Sequence, residues 1–179
     1  MTSAYIPSQN QDRVRVNSRI RSASSDDSKQ LAALVEQLGY RADERFIRDQ
    51  FAQLASRAGT AVFVADDNGA IIGLLCLSII PFLHVSGGLG RISALVIDSQ
   101  FQGKGVGRRL MAEAEEFAWN NGCARIEITS GDHRPDAHAF YEAIGYLQDC
   151  RRFIKNRPEE KSHAKPQRNR KRRLLNERE

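Results

Sequence analysis

Apolar residues recur along this chain with two different periods, and the period changes at turn residues. After Ser25, Asp26 and Asp27, which supply capping oxygens and negative charge, Leu31, Leu34, Val35 and Leu38 return every third or fourth residue until Gly39. That spacing predicts an amphipathic helix with a capped start and a glycine stop. A second helix is predicted from Asp43, where Phe46, Ile47, Phe51 and Leu54 share a face and Gly59 follows. Beyond Gly59 the pattern changes: Thr60 to Ala65 is β-branched and apolar, Asp66 to Gly69 is turn chemistry, and Ile71 to Ile80 is a second apolar run. A hairpin centred on Asn68-Gly69 is expected there. Phe82 to Gly90 reads as a loop, rich in glycine at its end. Arg91 to Ile97 and the alternating Arg125 to Thr129 read as strands, Arg19 to Ala23 as a short first strand, and Tyr146 to Ile154 as a last one. Gly105 to Asn121 carries the strongest helical pattern, with Val106, Leu110, Ala114 and Phe117 inward and Gly122 as its stop. A short helix over Asp136 to Ala143 is closed by Gly145. Strands alternating with helices predict an α/β domain.

A length of 179 residues fits one domain, and an apolar fraction of 41% suffices for a packed core. The chain divides into a polar lead-in over residues 1–17, a folded body over 18–154 and a basic tail over 155–179, which is expected to be disordered. The tail holds 10 Lys/Arg against 4 Asp/Glu, whereas the rest of the chain holds 17 against 18. The basic character therefore belongs to the tail, and contact with nucleic acid or an acidic partner would rest on it, through Arg168 to Arg173. Cys76, Cys123 and Cys150 are an odd count without metal-ligand spacing and read as reduced thiols. The first residues carry no apolar leader, and the longest apolar stretch, Ile71 to Val85, is interrupted and short of the roughly 20 residues that span a bilayer. A soluble, cytoplasmic protein is expected.

One segment points to chemistry. The strand ending ALVI leads through DSQF to Gln102-Gly103-Lys104-Gly105-Val106-Gly107-Arg108, which opens the long helix. Glycines at a helix start let the backbone approach a ligand, so that successive N–H groups at the positive end of the helix dipole surround a phosphate. Lys104 and Arg108 add charge. The alternative is a tight strand-to-helix turn and nothing more. A dinucleotide GxGxxG fails, because Arg108 or Leu110 stands where its last glycine belongs, and no GxxxxGK[ST] is present.

The segment matches Q/R-x-x-G-x-G/A through Gln102, Gly105 and Gly107, and thereby resembles the pyrophosphate loop of the GCN5-related N-acetyltransferases, the GNAT family. Ala137-His138-Ala139-Phe140-Tyr141-Glu142-Ala143-Ile144-Gly145-Tyr146 is similar to the A-x-x-F/L-Y-x-x-x-G-F/Y segment of that family. The resemblance spans roughly residues 18 to 154. It implies a mixed, mostly antiparallel sheet flanked by helices and splayed between its fourth and fifth strands, with acetyl-CoA in the splay. It further implies pantetheine on the backbone of Leu95, Val96 and Ile97, and pyrophosphate on Gln102, Gly103, Lys104, Gly105, Val106, Gly107 and Arg108. Tyr141 matches the usual general acid, and the Val96 N–H is the expected oxyanion donor.

The sequence departs from the family in two places. Where many relatives carry a glutamate on the fourth strand that activates the amine through water, Arg91 and Ser93 stand; Asp98, Glu127, His84 and His133 are the remaining bases. Arg134 replaces a frequent asparagine and is a candidate contact for CoA or an anionic substrate. The stretch SGDHRPDAH resembles the small-amine branch, which includes acetyltransferases of aminophosphonates and antibiotics. His84, His133, His138 and His163 form no metal pattern, so no metal is expected. The resulting expectation is direct acetyl transfer in a ternary complex to a small primary amine. A protein lysine or N-terminus is the alternative acceptor, and an acyl-CoA-binding regulator tethered to nucleic acid by the tail is the non-catalytic alternative. Acceptor choice is expected to lie in Tyr40 to Glu44 and Phe82 to Ser86, and a homo-oligomer is compatible with the sequence.

Overall fold

The computed structural model describes residues 16, 18–149 and 151–155. Strands β1 (Arg19–Ser22), β2 (Thr60–Asp67), β3 (Ala70–Pro81), β4 (Gly88–Ile97) and β5 (Cys123–Ile128) form one sheet in that order. Neighbours from β1 to β4 are antiparallel, and β5 runs parallel to β4. The helices are α1 (Ser28–Gln37), α2 (Glu44–Ala55), α3 (Val106–Asn120) and α4 (Pro135–Ala143). The predicted mixed, mostly antiparallel α/β architecture is the one observed.

Local chemistry accounts for the element ends. Asp43 caps α2 by accepting the Phe46 N–H at 2.7 Å. The β2–β3 turn places Asn68 at φ +53° and Gly69 at φ +92°, the left-handed pair that a tight hairpin requires. Side-chain alternation then splits the core between the two faces of the sheet. Phe63, Leu75, Leu77 and Ile92 pack with Leu110, Met111 and Ala114 of α3, while Val64, Leu74 and Val96 pack with Leu31 and Leu34 of α1 and Ile47 of α2. Burial on both sides explains why β3 reads as a continuous apolar run rather than an alternating one.

The sheet is also thinned where α3 crosses it. A Cβ on Gly73 would lie 3.0 Å from both Ile97 Cδ1 and Leu110 Cδ1, so only glycine lets the start of α3 press this close to β3 and β4. Gly90 plays the same part between Ile126 and Ala118, at 3.1 and 3.2 Å. This corrects the expectation of a loop through Gly90: Gly88, Leu89 and Gly90 are strand residues, and the two glycines make room for neighbours while Leu89 is buried.

A second correction concerns the chain's end. No strand forms over Tyr146 to Ile154 among the described residues. Gly145, at φ +96°, turns the chain after α4, and the Tyr146 N–H bonds back to the Tyr141 carbonyl at 3.0 Å. Leu147, Phe153 and Ile154 then remain 90%, 91% and 76% exposed, so strand-like composition is not rewarded by burial. Cys150, the basic tail beyond Lys155 and the lead-in apart from Val16 lie outside the described residues. Among those described, no helix is long and apolar enough to cross a membrane.

Arg21 ties the first strand to its surroundings. Its guanidinium meets Asp27 through two bonds of 2.8 Å and Asp66 through a third of 2.8 Å. Asp27, itself buried, also accepts the Ser24 N–H at 2.7 Å, and Asp66 accepts the Gly69 N–H at 2.7 Å. The Arg21 hydrogen bonds hold both carboxyls below the usual carboxylate range. Folded pKa values depressed in this way give stability that is complete above about pH 4, the unfolded value, and lost as pH falls through the folded values. Arg21→Met is expected to cost about 3 kcal/mol near neutral pH, because it strands the buried Asp27 charge. Urea unfolding of the two proteins between pH 7 and acid checks this: the variant should lose less stability on acidification, and parallel acid slopes would sink the assignment.

Candidate active site

The site begins where β4 leaves β5. Their parallel pairing runs from Gly88↔Cys123 to Ile92↔Ile128 and stops. On its other edge β4 stays paired to β3, but the register steps from Leu77↔Ile92 to Cys76↔Ala94 and leaves Ser93 as an extra residue. A bulge of this kind bends its strand. The bend falls where the pairing with β5 ends, so beyond it the sheet opens as a wedge.

The register also decides which backbone groups line the wedge. The Asp98 N–H donates to the Ile72 carbonyl of β3 at 2.9 Å, and Gln102 Nε2 donates to the Ile97 carbonyl at 3.2 Å. Peptide groups along a strand alternate in direction. Counting back from Asp98, the Val96 N–H faces β3, and the N–H groups of Leu95 and Ile97 face the opening. The expectation that Val96 donates into the splay is therefore corrected, since strand parity turns its peptide group toward Leu74, its register partner. The Val96 side chain belongs to the core beneath α1.

From Ile97 the chain passes through a 3₁₀ turn over Ser99–Phe101 into the glycine loop. Asp98 caps this turn, accepting the Gln100 N–H at 2.9 Å. Gln37, from the end of α1, donates to Asp98 at 3.0 Å and accepts the Ser99 N–H at 3.1 Å. Gly103 and Gly105 follow at φ +73° and +81° with open space around both, so backbone conformation is what demands glycine there. At Gly107 the demand is room: a Cβ would lie 3.3 Å from Phe140 Cζ of α4. Gly105 gives α3 no side-chain cap, and across this start the Arg109 N–H donates to the Gly105 carbonyl at 3.3 Å. The N–H groups of Val106, Gly107 and Arg108 therefore point out of the helix at its positive end. Lys104 Nζ stands 5.0 Å over the Phe101 ring, and Arg108 reaches the Ala143 carbonyl at 3.5 Å. These are the donors and charges that a pyrophosphate needs.

The aromatic segment on α4 separates two tyrosines by partner. Tyr146 donates to Glu115 of α3 at 3.1 Å, and burial together with that carboxylate pushes its pKa up. Tyr141 packs edge-on to Phe140 with ring centroids 5.3 Å apart, and its hydroxyl makes no hydrogen bond to the described residues. Burial raises its pKa, partly offset by the positive charge of Arg134, so the phenol is protonated at neutral pH. Tyr146 is thus a fastener, and Tyr141 is the tyrosine with a free proton.

The remaining candidates differ in how much of their chemistry is already engaged. Both oxygens of Asp98 accept hydrogen bonds, one from Gln37 of α1 and one from the Gln100 N–H. Both oxygens of Glu127 are ion-paired, to Arg125 at 2.9 Å and to Arg91 at 3.4 Å. Arg91 and Arg152 each donate to Thr129 Oγ1 at 3.0 Å. Phe82 lies 5.4 Å beneath the Arg125 guanidinium and 5.4 Å from the His84 ring, which brings the loop after β3 to this basic cluster. His133 sits in the turn before α4, its ring against Gly131, and Arg134 forms the entry to α4. The loop between α1 and α2 borders an open cleft of about 490 Å³ lined by Glu36, Arg41, Ala42, Asp43 and Phe46. Among the described residues, no three His, Cys, Asp or Glu side chains converge as metal ligands would.

Ser130, the first residue of the SGDHRPDAH stretch, lies just past β5, and its Oγ is buried without a hydrogen-bond partner among the described residues. One contributor escaped sequence reasoning. Arg152 meets Arg91 through Thr129 from a segment that sequence alone assigned to a strand. It carries no motif; only the fold brings it to the site.

Comparison with known proteins agrees with this geometry. The Acetyltransferase (GNAT) family pattern matches residues 27–146. An aminoalkylphosphonate N-acetyltransferase from Salmonella typhimurium is 33% identical over 137 residues, covering 76% of this chain and 89% of the relative. A glucosamine 6-phosphate N-acetyltransferase from Trypanosoma brucei brucei is 31% identical over 98 residues, covering 53% of this chain and 65% of the relative. The crystal structure of a GNAT family acetyltransferase from Staphylococcus aureus superposes with a TM-score of 0.67 at 27% identity, covering 77% of this chain and 97% of that one. By the family pattern over residues 27–146 and the similarity to named N-acetyltransferases, the chain belongs to the GNAT family as an acetyl-CoA-dependent N-acetyltransferase.

Proposed function

We propose that the enzyme moves acetyl directly from acetyl-CoA to the primary amine of a small molecule while both are bound. The observation that carries this reading is the open edge of β4, which runs without a break from the free N–H groups of Leu95 and Ile97 to the helix start at Val106. It fits an extended pantetheine arm ending in a pyrophosphate. By their names, the Salmonella relative acts on aminoalkylphosphonates and the trypanosome relative on glucosamine 6-phosphate. Each acceptor is a small amine that carries a phosphorus oxyanion, and we infer an acceptor of that class here.

When bound, acetyl-CoA supplies a thioester whose carbonyl carbon is open to attack. The chain's part is placement and charge. The N–H groups of Leu95 and Ile97 face the negative charge that develops on the carbonyl oxygen as the C–N bond forms. We assign the amine proton to water: Asp98 and Glu127 already have both oxygens engaged, and no contact among the described residues aims His84 or His133 at the β4 edge. As the C–S bond breaks, Tyr141 gives its proton to the departing sulfur. In water a phenol of pKa about 10 is a weak donor to a thiolate of pKa about 8.5. In the wedge the thiolate is desolvated as well, which raises its affinity for a proton and brings the transfer within reach.

Acetyl-CoA and free CoA should both raise the melting temperature, since each binds the folded state alone. Gly105→Val should abolish that rise, because a β-branched residue at φ +81° is strained and its bulk blocks approach to the N–H groups. A rise equal to that of the parent would place the pyrophosphate elsewhere.

Tyr141→Phe should lower kcat by about 10²-fold or more and leave the KM for acetyl-CoA within about twofold. In the parent, kcat should fall in alkali as the phenol ionises, above its ordinary value of about 10. The variant should lack that limb, and full activity in the variant at every pH would remove Tyr141 from the chemistry.

The reaction itself is tested by thiol release over a panel of amines. Turnover with small aminophosphonates or amino-phosphates supports the reading, whereas turnover confined to peptides or proteins overturns it.

A further inference from the structure

The basic cluster beside the wedge is not used by the transfer step, and its arrangement suits an anion. Ile126 and Ile128 of β5 pack toward α3, so Arg125, Glu127 and Thr129 point to the opposite face, the one that α1 and α2 cover elsewhere in the sheet. Arg91 joins them there as the register partner of Glu127. Arg91 and Arg125 both pair with the one carboxylate, Glu127, and Arg152 joins them through Thr129, so three guanidinium groups share one local negative charge. Glu127 balances one positive charge and leaves an excess. Arg91 and Arg152 moreover spend a donor each on the same neutral oxygen, Thr129 Oγ1, at 3.0 Å. Two cations drawn together on a hydroxyl repel one another, and an anion between them relieves that repulsion. A hydroxyl and two planar forks match the several oxygens of a tetrahedral dianion. The cluster sits at the last β4–β5 pairs, Arg91↔Glu127 and Ile92↔Ile128, where the wedge begins.

We propose that Arg91, Arg152 and Thr129 form the acceptor's acid-group site, which binds the phosphonate or phosphate of a small amine and holds its nitrogen toward the wedge. This rests on the reading that a small amine is the acceptor, and it adds which residues select it. It also gives a role to the arginine that stands where many relatives have a base.

The test separates the two levels. Calorimetric titration of methylphosphonate into the CoA-bound enzyme reads the site without any turnover; binding should be lost in Arg91→Gln and weakened in Arg152→Gln. In steady state with 2-aminoethylphosphonate, each variant should raise the amine KM at least about tenfold, the size of one lost charge-assisted bond, with the KM for acetyl-CoA unchanged. Activity on propylamine, which has no acid group, should be unaffected, and Arg91→Lys should recover part of the loss. O-phosphoethanolamine run beside 2-aminoethylphosphonate tells a phosphate ester from a phosphonate. Arg91 also braces β4 against β5, so the exposed Arg152 supplies a variant that leaves the core intact. Methylphosphonate binding equally to parent and variants overturns the site, as does a rise in the KM for acetyl-CoA, which would assign the cluster to the cofactor. Methylphosphonate binding that depends on Arg91, in an enzyme that acetylates no small amine, supports the anion site and overturns the acceptor reading instead.

Discussion

At Ser93 one strand carries a residue more than its neighbour can pair with, and the rest of the site depends on that mismatch. A parallel pair that continued to Ile97 would spend the N–H groups of Leu95 and Ile97 on β5. The bulge turns β4 away, so its last residues keep one edge in the β3 ladder and offer the other to a ligand. Unpaired backbone inside a fold is ordinarily costly, and it persists here because β3 pairs on both edges and is buried from Ile71 to Leu77. The rigid half of the sheet holds the open half in place.

The start of α3 is fixed to that open edge by the absence of side chains. Gly73 lets Leu110 and Val106 sink into the sheet, and Gly107 lets Phe140 of α4 lie across the first turn of the helix. Strand edge, helix start and Tyr141 are thereby brought together by close packing, with polar contacts such as Tyr146 to Glu115 acting as fasteners. An added methyl at either glycine would meet Ile97 and Leu110, or Phe140, at 3.0 to 3.3 Å and oblige them to give way.

Much of this was legible in the sequence because it rests on local rules. The Asn68-Gly69 hairpin, the capped α2, the glycine-led α3 and the turn at Gly145 each follow from residue types whose backbone preferences are strong. The reading failed where an outcome depended on partners distant in sequence. Tyr146 to Ile154 has strand composition but gains no neighbouring strand among the described residues. Gly88 to Gly90 has loop composition but is strand, because β3 and β5 pair with it on its two edges. The donor facing the wedge was misassigned by one residue, since the direction of a peptide group is set by the ladder with β3 and leaves no trace in residue type. Arg152 and Thr129 are silent for the same reason: their meaning arises only where they meet Arg91.

Gln37 gives this architecture a thermodynamic consequence. Its amide bonds both the Asp98 carboxylate and the Ser99 N–H, joining the end of α1 to the segment that leads into the glycine loop. Together with the Asp98 cap and the bond from Gln102 to Ile97, it fixes that segment before any ligand arrives. The conformational entropy of ordering a loop is then lost once, during folding, rather than at each encounter with acetyl-CoA. Every turnover begins with the cradle already shaped, and binding energy that would have been consumed in organising it stays available to hold the cosubstrate.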